Sequence, residues 1–584
     1  MKPATAAAGA LPLLALVLAA CSTSNPPQQE ITVEKNVVAD ASSPRAPVMV
    51  APPAPAAPSS VTVTGSSIAQ AYRRTAPAPM MYAPPPPYIP PGIAIVVPQG
   101  ADKFPDKEAN KTVLVSEQPV STFSADVDTA SYAFVRRALS DGRLPAPDAV
   151  RVEEMVNYFP YHYAGPRSAS EPFSVSTEVL PNPWKAGTQL VHIAIRGYDN
   201  KTVMSKTAAR PRANVVLLVD VSGSMMPPDR LPLLKQGFRL FAQQLRDEDT
   251  VAIVSYADGT RVVLEPTQGK DKGRILDAID SLRGGGGTAG GAGLQRAYEM
   301  AERHFDAKAV NRVILATDGD FNLGMTDPKQ LERFIVDKRK SGVYLSIFGV
   351  GTGNLNDALM QRLAQSGNGN AAYIDSLLEA RKALGEELGS TMFPIANDVK
   401  IQVEFNPEQV AAYRLVGYET RMLQRQDFKD DKVDAGDMGA GHTVTAIYEI
   451  TPAADAGKLA DSLRYGKKEK AKASGKHGDE LCFVKLRYKL PGKSTSREIA
   501  HPVHAAAARR SLDAAPADQR FAIAVAAFGQ RLRGEPQLAD YGYDRIAELA
   551  NTARSDDPEG YRAEFVKLVR MAETLGQTGT AGQP

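Results

Sequence analysis

The central part of the chain contains the run Val215-Val216-Leu217-Leu218-Val219, followed directly by Asp220-Val221-Ser222-Gly223-Ser224. Five consecutive apolar residues, three of them valine, are typical of a strand that is covered on both faces. The polar residues begin where this strand ends, and the glycine at position 223 permits a tight turn. Because Asp220, Ser222 and Ser224 alternate with other residues, a tight loop can direct their three oxygen-bearing side chains towards one point.

The pattern of apolar run and amphipathic segment repeats through residues 211–393. Runs of strand length lie at 251–254, 313–316 and 343–347, and the segment 234–245 places its apolar residues on one helical stripe. Strands that alternate with helices predict a mostly parallel sheet with helices on both faces. We therefore predict an α/β, Rossmann-like fold for this part of the chain.

Further oxygen donors occur in two later segments of this block. Asp318 stands in Thr317-Asp318-Gly319, directly after the run 313–316, and Thr288 stands in the glycine-rich stretch 284–291. The carboxyl ends of parallel strands form the edge where open α/β sheets bind ligands. The candidate ligands are two carboxylates and three hydroxyls, namely Asp220, Ser222, Ser224, Thr288 and Asp318. Such hard oxygen donors suit Mg²⁺ better than a soft metal.

The order and spacing of these five residues resemble the metal-ion-dependent adhesion site of von Willebrand factor type A (VWA) domains. The resemblance implies a Mg²⁺ ion, with Mn²⁺ or Ca²⁺ as alternatives, bound by the hydroxyls of Ser222 and Ser224. Thr288 would bind directly or through water, while Asp220 and Asp318 would anchor the ion partly through water. In that family, an Asp or Glu of a partner protein fills the last coordination position.

Two segments before the central block resemble the N-terminal extension of a bacterial subfamily of VWA lipoproteins. They are Thr122-Phe123-Ser124-Ala125-Asp126-Val127-Asp128-Thr129-Ala130-Ser131-Tyr132 and Arg151-Val152-Glu153-Glu154-Met155-Val156-Asn157-Tyr158-Phe159. That subfamily also carries a C-terminal domain of its own. The resemblance therefore implies an architecture rather than a biological role.

The N-terminal residues predict export and lipid attachment. Residues 1–20 combine a basic start at Lys2 with an apolar run at 11–18, which is typical of a signal peptide and too short to span a membrane. Leu18-Ala19-Ala20-Cys21 resembles the lipobox of bacterial lipoproteins, in which the cysteine becomes the lipidated first residue. Ser22 follows where an aspartate would favour the inner membrane. We expect a lipid-anchored envelope protein at the outer membrane, facing the periplasm; the alternative is ordinary secretion with a free Cys21 thiol.

Segments on both sides of the central block alternate apolar and polar residues with period two. They lie at 173–179 and 191–195 before the block, and at 399–405, 444–450 and 482–490 after it. This period is typical of strands with one buried face. We expect these strands to pair into one β-sandwich into which the VWA-like block is inserted.

The remaining segments differ in composition from these strands. Residues 21–112 are rich in Pro and Ala and poor in charge, as in a disordered tether. The predicted organisation is a signal peptide (1–20), a tether (21–112), an α+β N-terminal region (113–210), the VWA domain (211–393), a β-rich domain (394–506) and a tail of three helices (507–584).

Composition and motifs exclude several classes of function. The 68 Lys+Arg and 66 Asp+Glu residues give a net charge of +2, which offers no basis for nucleic-acid binding. Two cysteines cannot form a disulfide scaffold, and Cys482 falls on the inward face of a predicted strand. No Gly-x-Ser-x-Gly elbow surrounds Ser222 and no P-loop ends the glycine-rich stretch. We therefore predict that the protein is not an enzyme.

Taken together, these patterns predict an envelope protein, anchored in the membrane by lipid on Cys21, that binds a protein partner. The partner would be an envelope protein that offers an Asp or Glu carboxylate to the bound Mg²⁺. A structural or scaffolding lipoprotein that ignores metal is the first alternative. A metal-dependent hydrolase is a weaker one, because no nucleophile with a neighbouring general base is visible.

Overall fold

The computed structural model describes residues 102–168, 170–199, 211–287, 291–319, 327–387, 393–433, 435–458 and 477–580. The predicted signal peptide, Cys21 and the tether up to residue 101 lie outside these ranges, as does Thr288. None of the helices in the described ranges has the length and hydropathy that a membrane span requires.

The strands fall into three groups along the chain: before the central block, within it and after it. They are β1 (Val113–Leu114), β2 (Val120–Ser124), β3 (Phe173–Pro181), β4 (Gln189–Gly197), β5 (Arg212–Asp220), β6 (Thr250–Tyr256), β7 (Thr260–Gln268), β8 (Ala309–Thr317), β9 (Val343–Val350), β10 (Ala371–Ile374), β11 (Pro394–Phe405), β12 (Val410–Leu415), β13 (Met422–Leu423), β14 (Met438–Gly439), β15 (Thr443–Pro452), β16 (Glu480–Lys489) and β17 (Ser496–His504).

The α-helices lie in the N-terminal region, the central block and the C-terminal segment. They are α1 (Ala130–Ser140), α2 (Val152–Asn157), α3 (Leu231–Gln244), α4 (Lys272–Ser281), α5 (Gly291–Arg303), α6 (Pro328–Lys340), α7 (Asp357–Ser366), α8 (Leu377–Arg381), α9 (Ala517–Leu532), α10 (Tyr543–Thr552) and α11 (Tyr561–Thr580).

The central block forms one six-stranded sheet in the order β10-β9-β8-β5-β6-β7. All neighbours are parallel except β6 and β7. Alternate residues of β5 enter two cores: Leu217 packs with α3, α4 and α8 on one face, and Leu218 packs with α5, α6 and α7 on the other. The prediction of a mostly parallel sheet covered by helices on both faces is confirmed. The strand order places the carboxyl ends of β5, β6 and β8 side by side.

A β-sandwich is built from strands on both sides of the central block. One sheet has the order β1-β12-β15-β4-β3, and the other has the order β13-β2-β11-β16-β17. In the first sheet, Ile195 of β4 pairs with Val444 of β15 in antiparallel register. Because β4 precedes the central block and β15 follows it, the block is inserted into the sandwich, as the sequence pattern predicts. Cys482 lies in the sandwich core and is 1% exposed.

The outer face of β11 differs from the simple expectation of period two. The alternation predicts that Lys400 and Gln402 face solvent, yet both are buried. Lys400 Nζ donates to the carbonyl of Asp430 at 2.7 Å, and Gln402 Nε2 donates to Thr122 Oγ1 at 3.1 Å. The segment that follows β13 covers this face, so the polar side chains are satisfied by protein groups rather than by water.

The three predicted C-terminal helices are present as α9, α10 and α11, and they form part of a core. This core also contains residues of α1, α2 and the first sheet, such as Ile447 of β15. Arg136 of α1 donates to Glu379 of α8 at 2.7 Å and to Glu564 of α11 at 3.2 Å. The C-terminal helices therefore pack on the sandwich, and α11 also shares Arg136 with α8 of the central block.

Residues 102–112, which the composition assigns to the end of the tether, contact the folded chain. Asp102 Oδ1 accepts hydrogen bonds from the backbone amides of Gly353 and Leu355, each at 2.9 Å. Asn110 Nδ2 donates to the carbonyl of Gly417 at 2.7 Å. The packed part of the chain thus begins before residue 113.

Buried charges join the central block to the N-terminal region and the sandwich. We call this set the charged junction; it comprises Asp126, Asp128, Arg151, Glu153, Glu154, Asp357 and Arg421, most of which are almost fully buried. Arg421 pairs with Asp126 at 2.9 Å and with Asp128 at 2.7 Å. Arg151 pairs with Glu154 at 2.6 Å and with Asp357 of α7 at 2.9 Å. The motifs at 122–132 and 151–159 supply most of these side chains, so they contribute to the contacts between the N-terminal region, the central block and the sandwich.

Candidate metal centre

The loop after β5 brings together three of the predicted ligands. Asp220 ends the strand and is fully buried, and its Oδ1 accepts a hydrogen bond from the amide of Ser222 at 2.9 Å. The hydroxyls of Ser222 and Ser224 lie 3.1 Å apart. A short helical turn at Gly223–Met225 produces this arrangement. The Asp-x-Ser-x-Ser pattern therefore places these three side chains in one hydrogen-bonded loop.

Two side chains that the sequence analysis did not single out hold the second oxygen of Asp220. Tyr256, which ends β6, donates to Oδ2 at 3.1 Å, and Thr317, which ends β8, donates to it at 3.4 Å. Burial raises the pKa of Asp220, and the hydrogen bonds from Ser222 and Tyr256 act in the opposite direction. Both residues occupy the last position of a strand next to β5, which is the signal that could have identified them.

Asp318 lies at the same edge of the sheet and is also fully buried. Its Oδ2 accepts a hydrogen bond from the guanidinium of Arg230, and the same nitrogen donates to the carbonyl of Ser224 at 2.9 Å. Gly319 follows with φ +95°, and a Cβ there would lie 2.5 Å from the backbone of Leu355. Glycine is therefore required at this turn, which carries Asp318 towards the loop of Ser222 and Ser224.

The glycine-rich stretch contacts this loop through Gly285 and Gly286. The amide of Gly223 donates to the carbonyl of Gly286, and the amide of Gly285 donates to the carbonyl of Val221, each at 2.9 Å. Gly286 has φ +85°, and a Cβ there would lie 2.3 Å from a carboxylate oxygen of Asp258. Thr288 itself lies outside the described residues. The contacts of its near neighbours tie the start of this stretch to the candidate centre.

The donor set fits a hard divalent cation. No three His, Cys, Asp or Glu side chains in the described ranges are arranged to hold a metal, and the candidate centre contributes two carboxylates, Asp220 and Asp318. Its other protein ligands would be the hydroxyls of Ser222 and Ser224. Magnesium favours such a site because it binds a few oxygen ligands and retains water.

Comparison with protein families identifies the parts of the chain. The model of the von Willebrand factor type A domain matches residues 215–320, and a von Willebrand factor model matches 98–192. The model described as "Uncharacterized protein YfbK, C-terminal" matches residues 390–575. YfbK of Escherichia coli K12, itself described as uncharacterized, is 43% identical over 480 residues, which cover 81% of each chain. The chain belongs to the YfbK family.

Solved structures include further proteins that this YfbK-family chain resembles. A von Willebrand factor type A protein from Catenulispora acidiphila is 18% identical, with a TM-score of 0.37, over 70% of this chain and 91% of its own. Proximal thread matrix protein 1 from the mussel byssus is 26% identical, with a TM-score of 0.24, over 28% of this chain and 42% of its own. The latter structure is described as having zinc in its metal-ion-dependent adhesion site.

These findings confirm that the chain is a bacterial protein of the YfbK family with a VWA domain and the family's C-terminal region. A VWA domain favours a function in protein interaction or adhesion, and the matched families indicate no catalytic activity. Among the described candidate ligands, Asp220, Ser222 and Ser224 lie in one hydrogen-bonded loop, and Arg230 links that loop to Asp318.

Proposed function

We propose that this protein is a lipid-anchored protein of the bacterial cell envelope that binds a partner protein through a Mg²⁺-dependent adhesion site. The ligands of the ion would be Asp220, Ser222, Ser224, Thr288 and Asp318. When bound, the ion would offer an open position to an Asp or Glu carboxylate of the partner. The observation that carries the proposal is the convergence of the Ser222 and Ser224 hydroxyls beside buried Asp220.

The choice of hydroxyl ligands supports binding of an acidic partner group. Each serine supplies an oxygen without a formal charge, so two carboxylates offset only the charge of one divalent ion. An ion with so few anionic ligands retains affinity for a further carboxylate, because its charge is the largest in the site. Tyr256 and Thr317 donate hydrogen bonds to Asp220, so this carboxylate is oriented before any partner arrives.

The rim of the candidate centre supplies an apolar surface beside the polar ligands. Met226 follows the ligand loop and is 63% exposed, whereas Met225 is fully buried. A Cβ on Gly284 would lie 2.9 Å from the side chain of Met226, so the methionine rests against the glycine-rich stretch. Burial of Met226 by a partner would add affinity to the contact between the carboxylate and the ion.

The proposed location rests on the N-terminal sequence. The signal-like segment at 1–20 and the lipobox-like Leu18-Ala19-Ala20-Cys21 support lipidation of Cys21, and Ser22 supports sorting to the outer membrane on its periplasmic side. We expect labelled palmitate to be incorporated into the wild-type protein expressed in a Gram-negative host. Cys21→Ser should remove the label, and fractionation should then release the protein from the membrane.

Retention of partners from a solubilised envelope extract tests the adhesion mechanism. Wild-type protein should retain a partner in Mg²⁺ and lose it in EDTA, and Asp220→Ala should lose it in both. Asp280→Asn is a matched control, because Asp280 lies in the same domain and forms an exposed ion pair with Arg239. Equal retention by all variants in EDTA would instead support a scaffolding protein that ignores metal.

A further inference from the structure

We propose that Arg230 is an internal counter-cation for Asp318 in the absence of metal, and that the guanidinium leaves Asp318 when the divalent ion binds. Competition between Arg230 and the ion would thereby set the affinity of the centre for metal. This inference rests on the proposed metal site. Arg230 stands directly before α3 and lies outside the five-residue pattern that identifies the adhesion site. Its role follows from its contacts and not from the pattern.

The guanidinium of Arg230 contacts three separate loops of the candidate centre. One nitrogen donates to Asp318 Oδ2 and to the carbonyl of Ser224, the latter at 2.9 Å. Another nitrogen donates to the carbonyl of Thr352 at 3.0 Å. The Arg230 side chain is 14% exposed and that of Asp318 is fully buried. The ion pair is thus enclosed within the centre rather than lying on the surface.

The backbone around Arg230 is shaped to receive this side chain. Gly351, at the end of β9, has φ +71°, and a Cβ there would lie 2.3 Å from Arg230 Nε. Any other residue would both strain the backbone and displace the guanidinium. The position of the arginine is therefore built into the loop after β9.

Electrostatics give this position a function. Asp220 and Asp318 are both fully buried at the same edge of the sheet. A buried carboxylate without a compensating cation is costly, so a centre without metal needs a positive charge of its own. Arg230 supplies this positive charge at Asp318, the carboxylate that would also bind the metal. A guanidinium and a divalent ion at the same carboxylate repel each other, so loading of the ion favours release of Arg230.

A merely structural arginine would behave differently. If Arg230 only ties the loops of Ser224, Asp318 and Thr352 together, its loss should destabilise the protein equally with and without metal. If it substitutes for the ion, its loss should destabilise mainly the metal-free protein. The same loss should then strengthen metal binding, because a competing positive charge has been removed.

The test compares the full chain with Arg230→Gln, Arg230→Lys and the surface control Arg239→Gln. Thermal unfolding is measured in EDTA and in saturating Mg²⁺, and Mg²⁺ or Mn²⁺ affinity is measured by titration calorimetry. We expect Arg230→Gln to lower the melting temperature in EDTA, to recover most of this loss in Mg²⁺ and to bind the ion several-fold more tightly. Arg230→Lys keeps the charge and should lie between Arg230→Gln and wild type, whereas Arg239→Gln should behave like wild type.

The outcomes separate this inference from the proposed function. Equal destabilisation of Arg230→Gln in EDTA and in Mg²⁺, with metal affinity unchanged or weaker, would overturn the inference and leave the metal site intact. Absence of metal binding by wild type and all variants would overturn both. If Arg230→Gln does not fold, a metal affinity of Arg230→Lys equal to or weaker than that of wild type would count against the inference.

Discussion

The candidate metal centre and the charged junction both bury carboxylates, but they differ in what surrounds them. At the centre, Asp220 and Asp318 meet hydroxyls, glycine loops and one arginine with partial access to solvent. At the junction, Arg151 and Arg421 form ion pairs with four carboxylates. The two arginines come from different parts of the chain and are almost fully buried. The first arrangement suits exchange of a cation with solvent, whereas the second suits permanent attachment of domains.

Removal of an arginine from the junction should have the largest effect on stability. Arg421→Met leaves Asp126 and Asp128 without their guanidinium partner, and breaking a buried ion pair in this way costs about 3–5 kcal/mol. Urea unfolding of this variant and of the exposed control Lys340→Met, whose pair with Asp337 is worth at most about 1 kcal/mol, measures the difference. Similar losses of unfolding free energy in the two variants would mean that the junction stabilises the protein no more than an exposed ion pair does.

The junction should also make stability depend on pH. Burial, together with the nearby charges of Glu419 and Glu154, raises the pKa of Glu153 to about 7. A raised folded-state pKa stabilises the protein at pH values below the unfolded pKa, and this stabilisation is lost as the pH rises through 7. Its size is roughly 3 kcal/mol at most.

Glu153→Gln, whose side chain is neutral at every pH, tests the direction in which stability changes with pH. The variant should be more stable than wild type at pH 8.5 and no more stable at pH 5, as measured by unfolding in urea at both values. Residual pH dependence is expected, because burial also raises the pKa of Asp128 to about 8 and that of Asp357 to about 6. A constant difference between variant and wild type across this range would contradict the assignment.

Binding of Mg²⁺ at the candidate centre should add to the stability of the folded protein. At a Mg²⁺ concentration a hundred times the dissociation constant, binding should stabilise the wild-type protein by about 2.7 kcal/mol. Asp220→Asn preserves the shape of the side chain but weakens its bond to the ion, so we expect little stabilisation by Mg²⁺. Differential scanning calorimetry with and without EDTA measures this, and Asp280→Asn should respond to Mg²⁺ as the wild type does. An undiminished response of Asp220→Asn would separate Asp220 from metal binding.

The smallest effect is expected at Cys482, which belongs to neither region. Burial raises the pKa of its thiol to about 12, so the thiolate form is scarce at neutral pH. A thiol reagent at pH 8 should therefore modify Cys482 in urea but not in the folded protein. Cys482→Ala should cost about 1 kcal/mol. Rapid labelling of the folded protein would show that the sandwich core opens readily.

Apolar patterns predicted the elements well, because burial on two faces or on one face leaves different periods in the sequence. The run at 215–219 became β5, which is buried on both faces as expected. The alternation at 444–450 became β15, but both faces of this strand are buried, because residues such as Ile447 pack in the core that contains the C-terminal helices. Apolar patterns did not reveal β7, an antiparallel edge strand with exposed polar residues, or the four-residue β10. Short or partly exposed strands bury too little apolar surface to leave a clear pattern.

The individual contacts of the site were harder to predict than its ligands. The spacing of Asp220, Ser222 and Ser224 within one loop already determines that they converge. Arg230 and Asp318 are distant in sequence, and their pairing depends on how α3 and β8 pack against the sheet. Periodicity indicates which face of an element is buried, but it does not indicate which group will be the hydrogen-bond or ion-pair partner of a buried polar side chain. The same reason explains why the charges of the 122–132 and 151–159 motifs had no predicted partners.

The insertion of the central domain has a consequence for synthesis of the chain. Strand β4 emerges from the ribosome long before β15, its neighbour in the sheet, because the whole inserted domain is translated between them. The strands of the VWA sheet are close together in sequence, so this sheet can form first. Until β15 is made, β3 and β4 remain a hairpin in which the backbone groups at the outer edge of β4 have no partner strand. Such edges promote association between nascent chains. We therefore expect truncations that end before β15 to aggregate, and the intact polypeptide to depend on holdase chaperones until its last third is complete.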